Sequence, residues 1–271
     1  MISINFEYYR PQSAQEAAQL FRDLDLKGKN PAFFSGGTEQ ITHGRFNAVI
    51  DIQEVPECRM LQSERGYLAL GSALTLTEIT ESRGFPLLSK AVREIADHTS
   101  RNKITLGGNI CGQIFYREAV LPFLLTDSKV VTLGANGKHI YSIHDVFDKQ
   151  LQLKKGEMLI LLLTEERYLL QPFANIKVRQ RWDTGYPLVT ISALEIDGHM
   201  RVAFSGVCPF PFRSQEVEEV LNDAERPVEE RIEEAVRRMP GPILHDSQGS
   251  IEYRQFVIKN TLFDILSILK R

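Results

Sequence analysis

Cysteine is scarce in this chain, and long apolar runs and long runs of one charge are missing. The three cysteines, Cys58, Cys111 and Cys208, lie far apart, and none belongs to a C-x-x-C pair. Such spacing does not suit a zinc or iron–sulfur site built within one chain, and it is more typical of a reducing compartment than of a disulfide framework. The six histidines show no metal-ligand spacing either. We therefore expect no metal centre held by this chain alone.

Signals for membranes and nucleic acids are also missing. The first residues contain no basic segment followed by a long apolar stretch, so they do not resemble a signal peptide. The most apolar segment, 158–164, is far too short to span a bilayer. Net charge is −3, and arginines interleave the acidic cluster between Glu216 and Glu234, which is typical of a solvated helix face. We expect a soluble, cytoplasmic protein without a nucleic-acid groove.

The chain is long enough for two domains. It has 271 residues, of which 43% are hydrophobic, and this is sufficient for packed cores. The pattern of residue types changes near Pro172, where a basic segment is followed by long strand patterns and then by helical patterns. We predict an α+β fold with one domain over residues 1–170, made of subdomains at about 1–55 and 56–170, and a smaller domain of a sheet with helices over 171–271.

Several local signals predict individual elements. Ser13 and Glu16 favour a capped helix that ends at about Leu26, and Asn136-Gly137 is a strong hairpin signal. Further expectations concern three segments: paired strands at 67–71 and 73–76, a helix from Glu78 capped by Thr77, and a strand-like start at 101. The C-terminal part predicts a hairpin at Asp197-Gly198 and helices over 215–221, 228–238 and 251–270.

Two segments with paired glycines are the candidate ligand-binding sites. They are Ser35-Gly36-Gly37-Thr38-Glu39 and Thr105-Leu106-Gly107-Gly108-Asn109. Paired glycines let the backbone approach a ligand closely, and successive N–H groups can form a nest for phosphate oxygens. Two such loops that face each other could hold a dinucleotide pyrophosphate. A single Gly-Gly after a strand is usually only a turn, and neither segment matches a P-loop or a G-x-G-x-x-G motif.

The order of these features resembles the FAD-binding medium subunit of molybdenum hydroxylases, which include carbon monoxide dehydrogenase and xanthine dehydrogenase. Residues 8–17 are similar to the start of that family. Residues 35–39 resemble its A-G-G-T-D loop, and 101–110 resemble its R-N-x-A-T-I-G-G-N-I loop. In the second half the similar segments are 177–181, 186–193, 206–213 (the G-G-V-A-P-x-P-x-R turn) and 249–254 (G-S-A-E-Y-R).

The resemblance implies a cofactor and a set of binding residues. The first domain would be of the vanillyl-alcohol-oxidase type, and the second of the carbon monoxide dehydrogenase flavoprotein type. FAD would place its pyrophosphate on the two segments, with Thr105 and Asn109 supporting adenine-side or phosphate contacts and Lys177 near the flavin edge. Gly107→Val is then expected to abolish FAD binding, because the new side chain would occupy the phosphate approach. The binding residues so implied are Ser35, Gly36, Gly37, Thr38, Glu39, Thr105, Leu106, Gly107, Gly108, Asn109, Glu118 and Lys177.

The resemblance also implies partners. They would be a large molybdopterin-binding subunit and a small subunit with 2Fe–2S clusters, assembled as a heterohexamer or similar complex. Electrons would pass from molybdenum through iron–sulfur to FAD, and then to NAD or another acceptor. The chain itself would carry no catalytic nucleophile or acid–base pair.

One stretch departs from the family pattern. After G-G-N-I the family has A-x-A-S-P-x-x-D, whereas residues 111–118 read Cys-Gly-Gln-Ile-Phe-Tyr-Arg-Glu. Glu118 stands where the family's Asp commonly contacts the ribityl chain. Phe115 and Tyr116 either pack near FAD or are core residues of a rebuilt loop. Two alternatives to the relay subunit therefore stay open: a free-standing flavin enzyme that uses NADH, and a scaffold that has lost FAD.

Overall fold

A computed structural model describes residues 6–38, 46–180 and 185–269. The chain packs into two compact units. Unit 1 contains Met1–Ile79, His98–Gly112 and Ser128–Glu166. Unit 2 contains Thr80–Asp97, Gln113–Asp127 and Arg167–Arg271. Both glycine segments therefore belong to unit 1, whereas Glu118 and Lys177 belong to unit 2.

Helices and strands occur in both units, and the predicted α+β class is confirmed. The described helices are α1 (Ala14–Leu26), α2 (Leu76–Ser82), α3 (Pro86–Arg93), α4 (His98–Arg101), α5 (Leu106–Cys111), α6 (Leu121–Leu125), α7 (Ile143–Val146), α8 (Gln215–Leu221), α9 (Val228–Arg237) and α10 (Ile251–Ile268). The described strands are β1 (Glu7–Tyr9), β2 (Pro31–Phe34), β3 (Ala48–Asp51), β4 (Leu61–Glu64), β5 (Tyr67–Gly71), β6 (Lys129–Gly134), β7 (Gly137–Ser142), β8 (Phe147–Asp148), β9 (Gln150–Leu151), β10 (Met158–Glu165), β11 (Phe173–Val178), β12 (Val189–Ile196), β13 (His199–Ser205) and β14 (Phe212–Arg213). Short 3-10 turns lie at Pro56–Arg59, Glu118–Val120 and Glu166–Tyr168.

Unit 1 is built on two principal sheets. A parallel sheet has the order β1-β3-β2, and an antiparallel sheet has the order β4-β5-β10-β6-β7. Helix α1 packs against β2, β3 and β6, and its buried side chains join one apolar cluster with residues of both sheets. Burial of these apolar surfaces is the main force that holds the unit together.

Two elements of unit 1 that local sequence signals predicted are confirmed. Ser13 caps α1, because its hydroxyl accepts a hydrogen bond from the N–H of Glu16 at 3.1 Å. The hairpin at Asn136-Gly137 is confirmed by pairing of β6 with β7, and Gly137 has a φ of +94°. A left-handed backbone at this turn is the conformation that glycine adopts most readily.

Three predictions for unit 1 were wrong. Residues 73–76 do not form a strand, because Thr75 and Glu78 cap the start of α2 reciprocally, with bonds of 2.8 and 3.2 Å. The predicted cap, Thr77, instead donates its hydroxyl to Asn102. The segment from 101 is not a strand either, since α4 ends there and Thr105 forms only one isolated bridge, to Thr75.

Unit 2 has an antiparallel sheet, β11-β12-β13-β14, with helical segments on both faces. One face is apolar and joins α8, α9 and α10 in a single buried cluster. The other face carries polar side chains and contacts Glu118–Val120 and α6. The predicted hairpin at Asp197-Gly198 is confirmed, and the three C-terminal helices lie within two residues of their predicted ends. Within the described residues no helix is both long and apolar enough to cross a membrane.

The three thiols differ in accessibility, and this predicts their reactivity. Cys58 and Cys208 are buried, and burial raises the pKa of each thiol to about 11, whereas Cys111 is exposed. Because the thiolate is the reactive form, only Cys111 should react with a disulfide reagent in the native chain at pH 8. A spectrophotometric thiol titration should count one thiol per native chain, none in Cys111→Ser, and three after denaturation of the wild type. Two or more rapidly reacting thiols in the native chain would contradict the burial of Cys58 and Cys208.

Candidate functional site

The first glycine segment presents hydrogen-bond donors that have no acceptor among the residues the structure describes. It follows β2 directly, and Gly37 takes a left-handed backbone with a φ of +70°. Among the described residues, none accepts a hydrogen bond from the N–H groups of Ser35, Gly36 or Gly37. The buried hydroxyl of Ser35 also has no hydrogen-bond partner among the described residues. The backbone carbonyl of Ser35, by contrast, accepts a hydrogen bond from the Gln53 side-chain amide at 2.8 Å. A partly buried loop with unsatisfied donors is suited to bind an anion.

The first glycine segment lies against the backbone that immediately precedes the second one. A Cβ placed on Gly36 would lie 1.8 Å from the carbonyl oxygen of Lys103 and 3.4 Å from the Cα of Ile104. Only glycine therefore lets the first segment approach the backbone just before the second one. This is a steric requirement at Gly36, whereas the left-handed φ is the requirement at Gly37.

The second segment uses its donors internally. The N–H groups of Leu106 and Gly107 donate to the carbonyls of Leu74 and Ser72 at 2.8 and 2.7 Å. Thr105 caps α5, because its hydroxyl accepts a bond from the N–H of Gly108 at 3.1 Å. The N–H of Asn109 donates to the carbonyl of Thr105 at 2.9 Å. The four N–H groups of 106–109 are thus already bonded within the protein.

This bonding revises the predicted role of Gly107. The residue is buried, and a Cβ on it would lie 2.7 Å from the Cβ of Ser72. The glycine therefore allows α5 to pack on Ser72, and its N–H cannot serve a phosphate while it is bonded to the Ser72 carbonyl. Leu106 is likewise fully buried. In the second segment the more exposed positions are Gly108 and Asn109.

The donors of the first segment fit one part of a dinucleotide. The phosphates of a pyrophosphate are anionic acceptors, and backbone N–H groups together with a hydroxyl are the donors that commonly hold them. Ser35, Gly36 and Gly37 offer this set beside the second segment, and Thr38 is exposed next to them. Glu39, the remaining predicted residue of the segment, lies outside the described residues.

Glu118 and Lys177 form a buried ion pair in unit 2. Their side chains are 3% and 1% exposed, and the Lys177 ammonium donates to one carboxylate oxygen of Glu118 at 2.7 Å. Thr190 donates to the other carboxylate oxygen at 2.6 Å, and Lys177 also donates to the Glu94 carbonyl at 2.8 Å. Burial lowers the pKa of Lys177, and the neighbouring carboxylate opposes that shift.

These contacts give Glu118 a structural partner that the sequence did not reveal. Both of its oxygens are engaged by side chains of β11 and β12, so in this arrangement neither is left for a ribityl contact. The extra methylene of glutamate, compared with the family's aspartate, lengthens its reach toward the sheet. The proposed proximity of Lys177 to a flavin edge stays a prediction.

The loop at 111–118, which departs from the family pattern, contributes to an aromatic stack. Tyr116 is buried, and its ring lies 4.6 Å from that of Tyr186 with an interplanar angle of 11°. Phe115 packs on Tyr116, with 4.1 Å between the two ring centroids. The burial of Tyr116 favours the interpretation of these residues as the core of a rebuilt loop.

Sequence reasoning did not find the role of Arg254, which ends the G-S-x-E-Y-R motif. Its guanidinium is fully buried and donates to the carbonyls of Leu188 and Gly206 and to the carboxylate of Asp246. It therefore ties α10 to the ends of β12 and β13. An arginine on the apolar face of a helix was the available signal, since buried arginines are almost always paired.

Comparison with known proteins places the chain in a family. The pattern of the FAD binding domain in molybdopterin dehydrogenase matches residues 4–162. The chain is 26% identical to the xanthine dehydrogenase FAD-binding subunit of Escherichia coli O157:H7, over 94% of both chains. It is 25% identical to the carbon monoxide dehydrogenase medium chain of Hydrogenophaga pseudoflava, over 79% of both.

Solved structures show the same fold. Carbon monoxide dehydrogenase from Hydrogenophaga pseudoflava superposes with a TM-score of 0.87 at 21% identity, covering 99% of this chain and 98% of that one. Quinoline 2-oxidoreductase from Pseudomonas putida 86 gives a TM-score of 0.85 at 19% identity, covering 100% and 98%. The resemblance that the sequence motifs suggested is therefore confirmed, and so are FAD as the cofactor and oxidoreductase subunits as the protein class. The chain belongs to the family of FAD-binding domains of molybdopterin dehydrogenases.

Proposed function

We propose that this chain is the electron-transfer subunit of a molybdenum hydroxylase. In this role it accepts electrons from the iron–sulfur clusters of a partner subunit and passes them to NAD or another acceptor. The observation that supports the proposal is the first glycine segment, where N–H donors and the Ser35 hydroxyl without acceptors among the described residues lie against the backbone just before the second segment. This is a binding site for the cofactor that the family shares.

The residues of unit 1 bind and orient the cofactor. Ser35, Gly36 and Gly37 would donate to pyrophosphate oxygens, and the N–H groups of Leu106 and Gly107 fasten the second segment to the carbonyls of Leu74 and Ser72, in the turn that follows β5. Thr38, Gly108 and Asn109 extend this surface, with Thr105 holding the turn that presents Gly108. FAD, when bound, supplies the redox chemistry, and the protein supplies position and electrostatics.

Partners follow from the relatives. Two relatives are named as an FAD-binding subunit and a medium chain, which indicates that they act within larger assemblies. We infer that this chain assembles with a molybdopterin-binding large subunit and an iron–sulfur small subunit, in a heterohexamer or similar complex. A cytoplasmic location and NAD as the acceptor are further parts of this proposal.

Metal and flavin analysis of the chain purified from its native host tests the proposal. The tagged chain should carry one FAD per chain and should co-purify with molybdenum and iron in constant ratio to the flavin. A monomer that binds FAD, carries no metal and oxidises NADH rapidly would instead support a free-standing flavin enzyme. A folded, colourless chain inside a complex that contains molybdenum would support a scaffold that has lost FAD.

A further inference from the structure

The outward face of α10 carries a row of exposed aromatic side chains. The inward face packs into the core of unit 2 through Val257, Ile258, Leu262 and their neighbours. On the opposite face Phe256 is 63% exposed, Phe263 is 49% exposed and Tyr253 is 48% exposed. Their spacing of three and seven residues places them on one side of the helix. We call these three residues with Asn260 and Ser267 the α10 stripe.

The polar members of the α10 stripe are exposed, but each bonds to its own helix. The Asn260 amide donates to the carbonyl of Phe256 at 2.8 Å, and the Ser267 hydroxyl donates to the carbonyl of Phe263 at 2.9 Å. Both side chains are thus folded back on their own helix, where they satisfy their hydrogen bonds locally. The stripe has no charged member, and the exposed acidic residues of the same helix, Glu252 and Asp264, are next to Tyr253 and Phe263 in the sequence.

The exposed area is large for three neighbouring residues. A fully buried aromatic side chain covers roughly 150–250 Å², so three half-exposed ones present roughly 300 Å² of mostly apolar surface. Contiguous apolar patches of roughly this size on monomers are often functional. The stripe would be the centre of an interface whose full size is about 800 Å² per partner.

The charges around the α10 stripe are mainly acidic. Glu252 and Asp264 are exposed on α10 itself, and Glu229, Glu230 and Glu233 are exposed on the neighbouring α9. Lys259 is paired with Glu233 at 2.5 Å, and the exposed Arg237 and Arg238 at the end of α9 are paired with Glu234 at 3.4 and 2.9 Å. Among the described residues this leaves Glu252, Asp264, Glu229 and Glu230 as acidic charges without a salt bridge. Two copies of this chain that met through the stripe would bring two acidic rims together, which disfavours self-association. A different chain with basic residues around an apolar centre would be complementary.

We propose that the α10 stripe is the docking face for another subunit, whose contact surface has an apolar centre and a rim of lysine and arginine. The inference rests on the proposed function, because it requires that the chain acts within a complex. Phe256 and Phe263 would insert into the partner's apolar centre. The acidic rim would guide the approach, so association should slow as salt concentration rises.

Single charge substitutions in the native complex test this docking face. The tagged chain, purified from its native host, would be compared as wild type, Phe256→Glu and Phe263→Glu. Leu170→Glu is the matched control, since Leu170 is also in unit 2 and is strongly exposed. Co-purifying molybdenum and iron should fall on the order of tenfold or more in the two phenylalanine variants and stay unchanged in the control. The FAD content and thermal unfolding of all variants should match those of the wild type.

The other outcomes each have a distinct meaning. Unchanged molybdenum and iron in both phenylalanine variants would overturn the docking face while leaving the proposed function intact. A wild-type chain that carries FAD and no partner subunit would overturn the proposed function itself. A wild-type homodimer that Phe256→Glu converts to a monomer, measured by light scattering, would assign the stripe to a second copy and overturn the hetero-subunit assignment.

Discussion

Gly36→Ala is expected to weaken FAD binding by at least about 100-fold, because the added Cβ must push the first glycine segment away from the second. The Cβ would lie 1.8 Å from the Lys103 carbonyl oxygen, which is a backbone atom and cannot rotate aside. Overpacking of this kind typically destabilises a protein by about 1–3 kcal/mol. Loss of FAD should therefore accompany a lower melting temperature, and equilibrium titration with FAD measures the first effect directly.

Two further variants make the result interpretable. Gly134→Ala is the control, since its Cβ would lie 3.3 Å from the Cα of Glu157, and FAD binding should be unchanged. Ser35→Ala removes the unpartnered hydroxyl without adding volume, so the chain should fold normally and bind FAD about tenfold more weakly, as expected for one lost hydrogen bond. Wild-type affinity in both Gly36→Ala and Ser35→Ala would place the phosphates elsewhere.

Glu118→Ala is expected to destabilise the chain by about 3–5 kcal/mol, because it leaves the buried Lys177 ammonium without a counter-charge. Lys177→Met should destabilise the chain by a similar amount, because it leaves the buried Glu118 carboxylate without its positive partner. The double variant Glu118→Gln with Lys177→Met should recover much of the loss, because replacing a whole buried pair is often nearly neutral. Urea unfolding of the wild type, Glu118→Gln, Lys177→Met and the double variant gives the coupling energy, because these four proteins form a closed cycle.

A second readout separates structure from cofactor electrostatics. If Lys177 also lies near the flavin edge, Lys177→Met should lower the flavin midpoint potential by about 30 mV or more, equal to a tenfold shift of a two-electron equilibrium. Full stability in Glu118→Ala would contradict the buried pair. An unchanged potential in a variant that still binds FAD would restrict Lys177 to a structural role.

Local signals predicted the elements that depend on neighbours in the sequence. The cap at Ser13, the Asn136-Gly137 hairpin and the Asp197-Gly198 hairpin are decided within a few residues. The strand assignments near Thr75 and Thr105 failed because β-branched residues suit both strands and helix caps. There the reciprocal bonds of Thr75 and Glu78, together with the bond of Thr105 to Gly108, favour helices.

The sequence indicated two candidate segments, but it did not indicate how the backbone of each is packed and bonded. Gly36 and Gly107 look alike in sequence, yet one adjoins Lys103 and the other packs on Ser72. The partners of Glu118 lie 59 and 72 residues away along the chain, at Lys177 and Thr190. Contacts at such separation follow from strand register and packing, which the local pattern does not specify.

The most direct test of the account is a titration of the purified, flavin-free wild-type chain with FAD, followed by visible absorbance. One tightly bound, oxidised flavin per chain is expected, with weaker binding in Ser35→Ala and an unchanged circular dichroism spectrum of the folded chain. A folded wild-type chain that stays colourless at every FAD concentration, alone and after assembly with its partner subunits, would contradict the claim that the adjoining glycine segments bind this cofactor.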